Sequence, residues 1–327
     1  QPHFPIPLSW RNNHKWPGLQ WHADGNFDHH AATTLAACST LVSFLCGLVT
    51  NDRIPVAIAR HLFNIKVEAK IRFGRWLWAS TTHVLEKLDA CYDRWAKLIL
   101  GADPWRNEKM CSSELGWDLT GAARAVHDMA TKRAYFWQQA DKSLAGQVFV
   151  NSHLSEGDTW AKRTHTILSD WGVSDWPMWV STCLEQCTPF IAQHVRPIPY
   201  IQLTRGPTTM FNDALRLRVP WSVLVGHRSL SRLRCGLISL GHVNHRTTSA
   251  AVQQCLFCMK RYSSVCLHVV CHCVHFNEQR APLQQAGVDC SNLNFQCSLP
   301  EQCFNEIVGL AACIDKMASL FWKAGPV

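Results

Sequence analysis

Residues Gln254 to Arg280 read QCLFCMKRYSSVCLHVVCHCVHFNEQR, and the spacing of Cys and His in this stretch decides how the rest of the chain is read. Cys255 and Cys258 stand in a C-x2-C pair, nine residues follow, and His268 and Cys273 then stand as H-x4-C. A C-x2-C pair on a tight turn aims two thiolates at one point, and a His and a Cys on a following turn or short helix can close a tetrahedron around zinc. Cys255, Cys258, His268 and Cys273 are therefore expected to hold one structural Zn2+. Cys271 and Cys266 compete for the fourth position, and His272 and His275 are further candidates. Buried reduced thiols or disulfides are the alternatives, but paired spacing is a more specific signal than a cysteine count.

A chain of 327 residues can bury an ample core, so size alone forces neither a metal nor a disulfide. The formal charge of +8 comes from 32 Lys+Arg against 24 Asp+Glu, with 17 His that add charge in mild acid, and such a surface favours polyanions. No charged segment followed by an apolar core and a cleavage site opens the chain, which starts at Gln1 rather than Met and reads as a processed or excised piece of a longer product. Sixteen Cys without a secretory leader point to a reducing compartment, so the expected location is intracellular, nuclear or cytoplasmic. Gly226, Gly236 and Gly241 stand alone, which excludes a glycine-rich phosphate loop. No family signature surrounds any single Cys, so cysteine-based hydrolysis or redox catalysis is not expected.

The coarse pattern is helical. Residues 1–30 hold Pro, Gly, Trp and His without a sustained period and read as an irregular lead-in. Ala31 to Thr50 carries no charge and has the length of a bilayer span, but it holds six Ser or Thr. Leu35, Cys38, Leu41, Phe44, Leu45 and Leu48 fall near helical spacing there, and a buried helix is preferred to a membrane span. Pro55 opens a second helix to about Lys70, with Val56, Ala59, Leu62, Phe63 and Val67 on one stripe. Residues 81–100 give the clearest helix: Ser80 or Thr81 caps it, Val84, Leu88, Cys91, Trp95 and Leu98 form the stripe, and Gly101 closes it before Pro104. Gly121 to Ala140 turns Ala123, Val126, Ala130 and Trp137 inward and Arg124, Lys132 and Arg133 outward. A short helix follows over 158–168. Residues 188–222 are rich in Pro and Gly and mark a boundary, and an amphipathic helix with Phe304, Ile307, Val308, Ala311, Ile314, Met317 and Phe321 closes the chain.

Between Arg205 and Arg246 lie seven Arg and one acid, Asp213. Such a band repels itself unless an anion sits among its members, and Arg clamps phosphate bidentately, so Arg228, Arg232, Arg234 and Arg246 are the expected phosphate contacts. Trp76, Trp78, Trp95 and Trp137 sit on apolar stripes and are expected in the core.

The order of these motifs resembles a known family. Arg232 to Gly236 (RLRCG), the C-x2-C pair, H-x4-C and then Phe276 and Arg280 resemble the C-terminal zinc-binding region of non-LTR retrotransposon reverse transcriptases. Leu85-Glu86-Lys87-Leu88, Leu98-Ile99-Leu100-Gly101 and Ser113-Glu114-Leu115-Gly116-Trp117 are similar to the thumb and post-thumb helices of that family, and Lys132-Arg133, Phe136-Trp137, Thr159-Trp160 and Trp171-Gly172-Val173 follow in its order. The likeness covers most of residues 50–280. It implies a mostly α fold: a lead-in at 1–30, a thumb-like helical domain at 31–140, a connecting region at 141–204, a basic zinc-binding module at 205–280 and a C-terminal helical segment at 281–327. It also implies RNA and/or DNA as partners, together with an upstream polymerase palm domain of the parent polyprotein.

The departures are equally definite. Family polymerases hold two Mg2+ on a Tyr/Phe-x-Asp-Asp motif, and no Asp-Asp pair occurs in this chain. Nothing after Arg280 supplies the Pro-Asp of the endonuclease found in some of these elements. Where the family usually places an acid after the two cysteines, this chain has Met259-Lys260-Arg261. The alternatives to a reverse-transcriptase fragment are a stand-alone zinc protein derived from such an element, and a structural or interaction protein whose Cys and Arg serve packing. Lacking paired carboxylates, the purified chain is expected to incorporate no dNTP on a primed RNA template. Incorporation above a buffer control that disappears on mutating an acid of this chain would refute that expectation.

Overall fold

The computed structural model describes residues 13–16, 19–22, 27–101, 111–112, 114–117, 119–172, 221–235, 238, 240–242, 253–290 and 304–324. Within them the protein is mostly helical, with a two-stranded and a three-stranded antiparallel sheet. The chain divides into two units, each assembled from separate stretches: residues 1–41, 65–92 and 119–197 form the first, and residues 42–64, 93–118 and 198–327 the second.

The lead-in carries a hairpin that its sequence does not announce: β1 (Asn13–Trp16) pairs with β2 (Leu19–His22), four-residue strands too short to display a period. Helix α1 (Asp28–Thr50) follows. It buries Ala31, Leu35, Cys38, Val42, Leu45 and Val49, a line at helical spacing, and leaves Leu41 and Phe44 exposed. Such a one-sided line suits a helix packed in a protein core, although by length and composition α1 is also able to cross a membrane.

Pro55 caps α2 (Val56–Leu62), which runs through a π-helical stretch (Phe63–Glu68) into α3 (Ala69–Arg72). Buried Val56, Ala59, Phe63, Val67 and Ile71 repeat at three or four residues, and α4 (Arg75–Trp78) follows. The clearest predicted helix is α5 (Thr82–Leu100), closed by Gly101 at φ 66°. Its buried line runs through Leu85, Leu88, Tyr92, Trp95 and Ile99, one residue beyond the expected Cys91 and Leu98, and the phenol of buried Tyr92 finds a hydrogen-bond partner in half-buried Glu68.

The first unit continues with α6 (Gly121–Gln138), α7 (Leu144–Leu154) and α8 (Trp160–Asp170). Thr120, Ser143 and Thr159 cap them, each side-chain oxygen accepting an N–H of the first turn. Helix α7 lies where a connecting region was expected: its apolar Leu144 and Val148 face outward while Gly146 and Phe149 are buried, which hides the period. Arg133 corrects a second expectation. It is fully buried rather than outward, donating to the Ala161 carbonyl and to Thr164 Oγ1 at 2.8 Å, with the Phe149 ring 5.2 Å from its guanidinium carbon.

A charged cluster joins the helices of this unit. Arg75 reaches Glu68 Oε1 at 2.9 Å and Asp128 Oδ2 at 2.8 and 2.9 Å, Tyr92 donates to Glu68, and Asp89 Oδ1 accepts from the Ala122 amide at 2.6 Å. Burial, the largest influence on Asp128, pushes its carboxyl up, but hydrogen bonds from His127 and Arg75 and the Arg75 charge outweigh it and hold the group below the usual range. Arg75→Met leaves two half-buried carboxylates without their partner and is expected to cost about 1–3 kcal/mol in urea unfolding. A depressed carboxyl contributes stability that is present above its unfolded pKa, near 3.9, and is lost as the pH falls through its folded value. The parent is therefore expected to lose stability below about pH 4 through this group, and Arg75→Met to show a shallower dependence. Coincident pH profiles would refute this.

Candidate metal centre

The second unit holds a three-stranded sheet ordered β3 (Gly241–His242), β4 (Gln253–Cys255) and β5 (Arg261–Tyr262). Strands β4 and β5 pair Gln253 with Tyr262 and Gln254 with Arg261, so the chain between them is a tight knuckle. Met259 sits at φ 59° in that turn. The Cys255 amide donates to the Lys260 carbonyl at 2.9 Å, the Met259 amide returns to the Cys255 carbonyl at 3.0 Å, and Gln254 Nε2 holds the Met259 carbonyl at 2.8 Å. These bonds turn both knuckle thiols to one side.

His268 lies on α10 (Val265–Cys271), capped by Ser264, and Cys273 stands two residues beyond that helix. At its end the His268 carbonyl accepts from the amides of both His272 at 2.8 Å and Cys273 at 2.7 Å, which folds Cys273 back beside His268. Arg280, on α11 (Asn277–Gln285), is buried beneath this turn. It donates to the carbonyls of Val269 at 3.2 Å, Val270 at 3.3 Å and Cys273, and to Asn277 Oδ1 at 2.6 Å, satisfying the carbonyls that a helix end leaves without partners.

The outcome is a cluster in which the ligand atoms of Cys255, Cys258, His268 and Cys273 all lie within 4.8 Å of one another. Cys258 Sγ is 3.2 Å from His268 Nε2. A tetrahedral zinc with bonds of about 2.0–2.3 Å spaces its ligand atoms about 3.5–3.8 Å apart, so small side-chain shifts accommodate the ion. Backbone amides also point at the sulfurs. Phe257 donates to Cys255 Sγ at 3.4 Å, the Lys260 amide draws the Cys258 thiol down, and the His275 amide does the same for Cys273. Hydrogen bonds of this kind favour the thiolate, the form that binds metal.

Electrostatics describe the same crowding. Burial, followed by the nearby sulfurs, drives Cys273 up to about 12 and raises Cys255. In Cys258 burial also pushes upward but is outweighed by the Lys260 amide and the neighbouring Cys255, Tyr262 and Cys273 side chains, and the thiol ends below its ordinary value. Burial, and then the neighbouring His272, Arg280 and Lys260, lower His268 and favour its neutral imidazole, the state a ligand needs. A divalent cation among the sulfurs reverses their upward shifts. The donor set fits a metal ion.

The competing residues stand elsewhere. Cys271 belongs to the apolar cluster with Val265, Val269, Phe276, Leu283 and Ile314, Cys266 is raised to about 11 by burial, and His272 and His275 are exposed. Among the described residues no cysteine is placed in a disulfide.

Three arginines of the expected phosphate-binding band, Arg228, Arg232 and Arg234, are engaged with partners inside the chain. On α9 (Trp221–Arg234), Arg232 reaches both carboxylate oxygens of Asp315 at 2.7 Å, and Ser229 adds a bond to the same group at 3.0 Å. Asp315 lies on α12 (Phe304–Ala324), whose Ile307, Val308, Leu310, Ala311 and Ile314 are buried. Gly226 permits this crossing, since a Cβ there would lie 2.8 Å from Val308 Cγ1. Arg234 is buried and paired with buried Glu114 at 3.1 Å. Half-buried Arg228 reaches the Thr50 carbonyl at 3.5 Å and lies against Gly101, so its charge meets the C-terminal ends of α1 and α5. Arg246 lies outside the described residues. What separates these arginines from surface cations is acids far away in sequence, and no local signal shows them.

No protein-family model matches the chain, and no match is found among curated proteins or solved structures.

The full chain is expected to carry about one equivalent of zinc, and Cys258→Ser to lose it and expose the amides of residues 253–290 to hydrogen exchange. Cys271→Ser should retain the metal, because its sulfur is not among the four ligand atoms gathered within 4.8 Å. Elemental analysis finding no metal in protein prepared without chelator rejects the site; metal kept by Cys273→Ser and lost by Cys271→Ser reassigns the fourth ligand.

Proposed function

We propose that this chain binds RNA or DNA through a small basic module folded around one structural Zn2+, as a C-terminal fragment similar to that of a non-LTR retrotransposon reverse transcriptase. A Cys3His set that closes a tetrahedron suits zinc and leaves no open position for a substrate, which assigns the metal to folding rather than to catalysis. In this reading the polymerase carboxylates belong to a palm domain of the parent polyprotein.

The observation that carries the binding role is the knuckle itself. Lys260 ends the turn and Arg261 opens β5, both exposed between the second and third ligands, and among the described residues neither forms an ion pair. A short rigid turn tied on both sides to the metal presents two cations with little conformational freedom left to lose. Such groups hold phosphates in register without reading bases.

The contrast with the internal arginines supplies the test. Each phosphate contact releases condensed counterions, giving a log–log salt slope of about −0.7 to −0.9 per contact. Replacing Lys260 and Arg261 together with Ala is expected to leave the fold intact, weaken binding to all sequences alike and flatten the slope by roughly one to two units. Replacing Arg232 and Arg234 with Ala should instead lower the melting temperature, since it strands the carboxylates of Asp315 and Glu114. Fluorescence anisotropy on single- and double-stranded oligonucleotides at several salt concentrations, with circular dichroism of each variant, measures both. An unchanged slope in the folded Lys260/Arg261 variant ends the assignment of the knuckle, and absence of binding by the parent leaves the scaffold reading.

A further inference from the structure

Histidines that bind metal ordinarily donate their second ring nitrogen to a carbonyl or carboxylate, which fixes the ring's tautomer and orientation. His268 lacks that partner: its Nε2 faces Cys258 Sγ, while its Nδ1 is buried with no hydrogen-bond partner among the described residues. Another group must therefore fix the ring. Tyr262 lies on it face to face, with centroids 3.5 Å apart and planes at 12°, and its hydroxyl stands 4.0 Å from Cys258 Sγ. The phenol is itself held by the sheet, since Tyr262 on β5 pairs with Gln253 on β4.

The stacking geometry is informative because two neutral aromatic rings avoid it. Their like quadrupoles repel in a parallel sandwich and favour offset or edge-on contacts. The balance changes when one ring is electron-poor. An imidazole bound through nitrogen to a dication loses electron density to the metal, and the negative face of a phenol then attracts it as it attracts a cation. The contact suits a metal-bound His268 and does little for a neutral, metal-free one.

We propose that Tyr262 is the positioning residue of the metal centre: its ring holds His268 in the ligating orientation in place of the missing hydrogen bond, and it stabilises the loaded site over the empty one. The inference rests on Cys255, Cys258, His268 and Cys273 binding metal. Removal of outer-shell partners of this kind typically weakens metal affinity about 10- to 100-fold.

The experiment uses the full chain with Co2+ and Zn2+ as probes. For Tyr262→Leu, competition against a chromophoric chelator is expected to show Zn2+ bound at least about 10-fold more weakly than in the parent, and the Co2+ ligand-field bands to shift or broaden as the His268 ring departs from its set angle. Tyr262→Phe keeps the ring face and should restore both affinity and spectrum to near the parent's. A purely structural role would lower the thermal stability of the Leu variant and leave the spectrum of the bound Co2+ unchanged. A second measurement needs no substitution: in zinc-loaded parent protein carrying 13C-labelled histidine, the His268 ring protons should resonate upfield under the Tyr262 ring current. Parent-like affinity and spectrum in Tyr262→Leu, or unshifted His268 protons, overturn the inference while the metal site stands. A parent chain that takes up neither Zn2+ nor Co2+ overturns both.

Discussion

Three sulfur atoms and one imidazole nitrogen drawn within 4.8 Å of each other form an arrangement that a folded chain tolerates poorly without a cation. The upward drive on Cys273 and Cys255 has the same cause: burial penalises each charge, and thiolates set side by side repel. Every local feature around the cluster nevertheless favours the same convergence. The knuckle bonds turn Cys255 and Cys258 inward, the shared His268 carbonyl folds Cys273 back, and Arg280 occupies the helix end that would otherwise open. The apolar cluster of the second unit is continuous with the site, since Cys255 and Cys273 are members of it alongside Val269, Phe276 and Ile314. Disturbing the ligands therefore disturbs the packing of α9, α10 and α12 together.

Much of this was legible in the sequence. Four residues with metal-ligand spacing form one cluster, the helices at 31–50, 81–100 and 121–140 exist within a few residues of their expected ends, and Gly101 closes α5 in the left-handed conformation that only a residue without a Cβ adopts freely. Those features are local: a turn, a cap and a period all lie within a few residues of what determines them.

The less legible features depend on partners distant in sequence. Arg133 reads as a surface cation on its own helix and is buried because Ala161 and Thr164 supply acceptors about thirty residues later. Arg232 and Arg234 make a basic run when counted, but Asp315 and Glu114 are 83 and 120 residues away. Tyr92 takes the place of Cys91 in the buried line, with Glu68 as its partner. Tyr262 carries no spacing mark either, because a ring that stacks on a ligand obeys no fixed offset from it. Charge counts record what a residue carries and are silent on what it meets.

The buried pair of Arg234 with Glu114 has a consequence for the order in which the protein takes shape. A contact across 120 residues closes a long loop, and the Arg232–Asp315 pair forms only once residue 315 has been made. The first unit has all its segments by residue 197, whereas the second, begun at residue 42, waits for the last helix before its inner charges find partners. On a ribosome adding about 5–20 residues per second, Glu114 therefore passes many seconds with an unanswered charge, accepted in water and excluded from any core. Closure of the second unit's inner charge pairs thus waits for residue 315, and non-local closure of this kind is slower than helix formation.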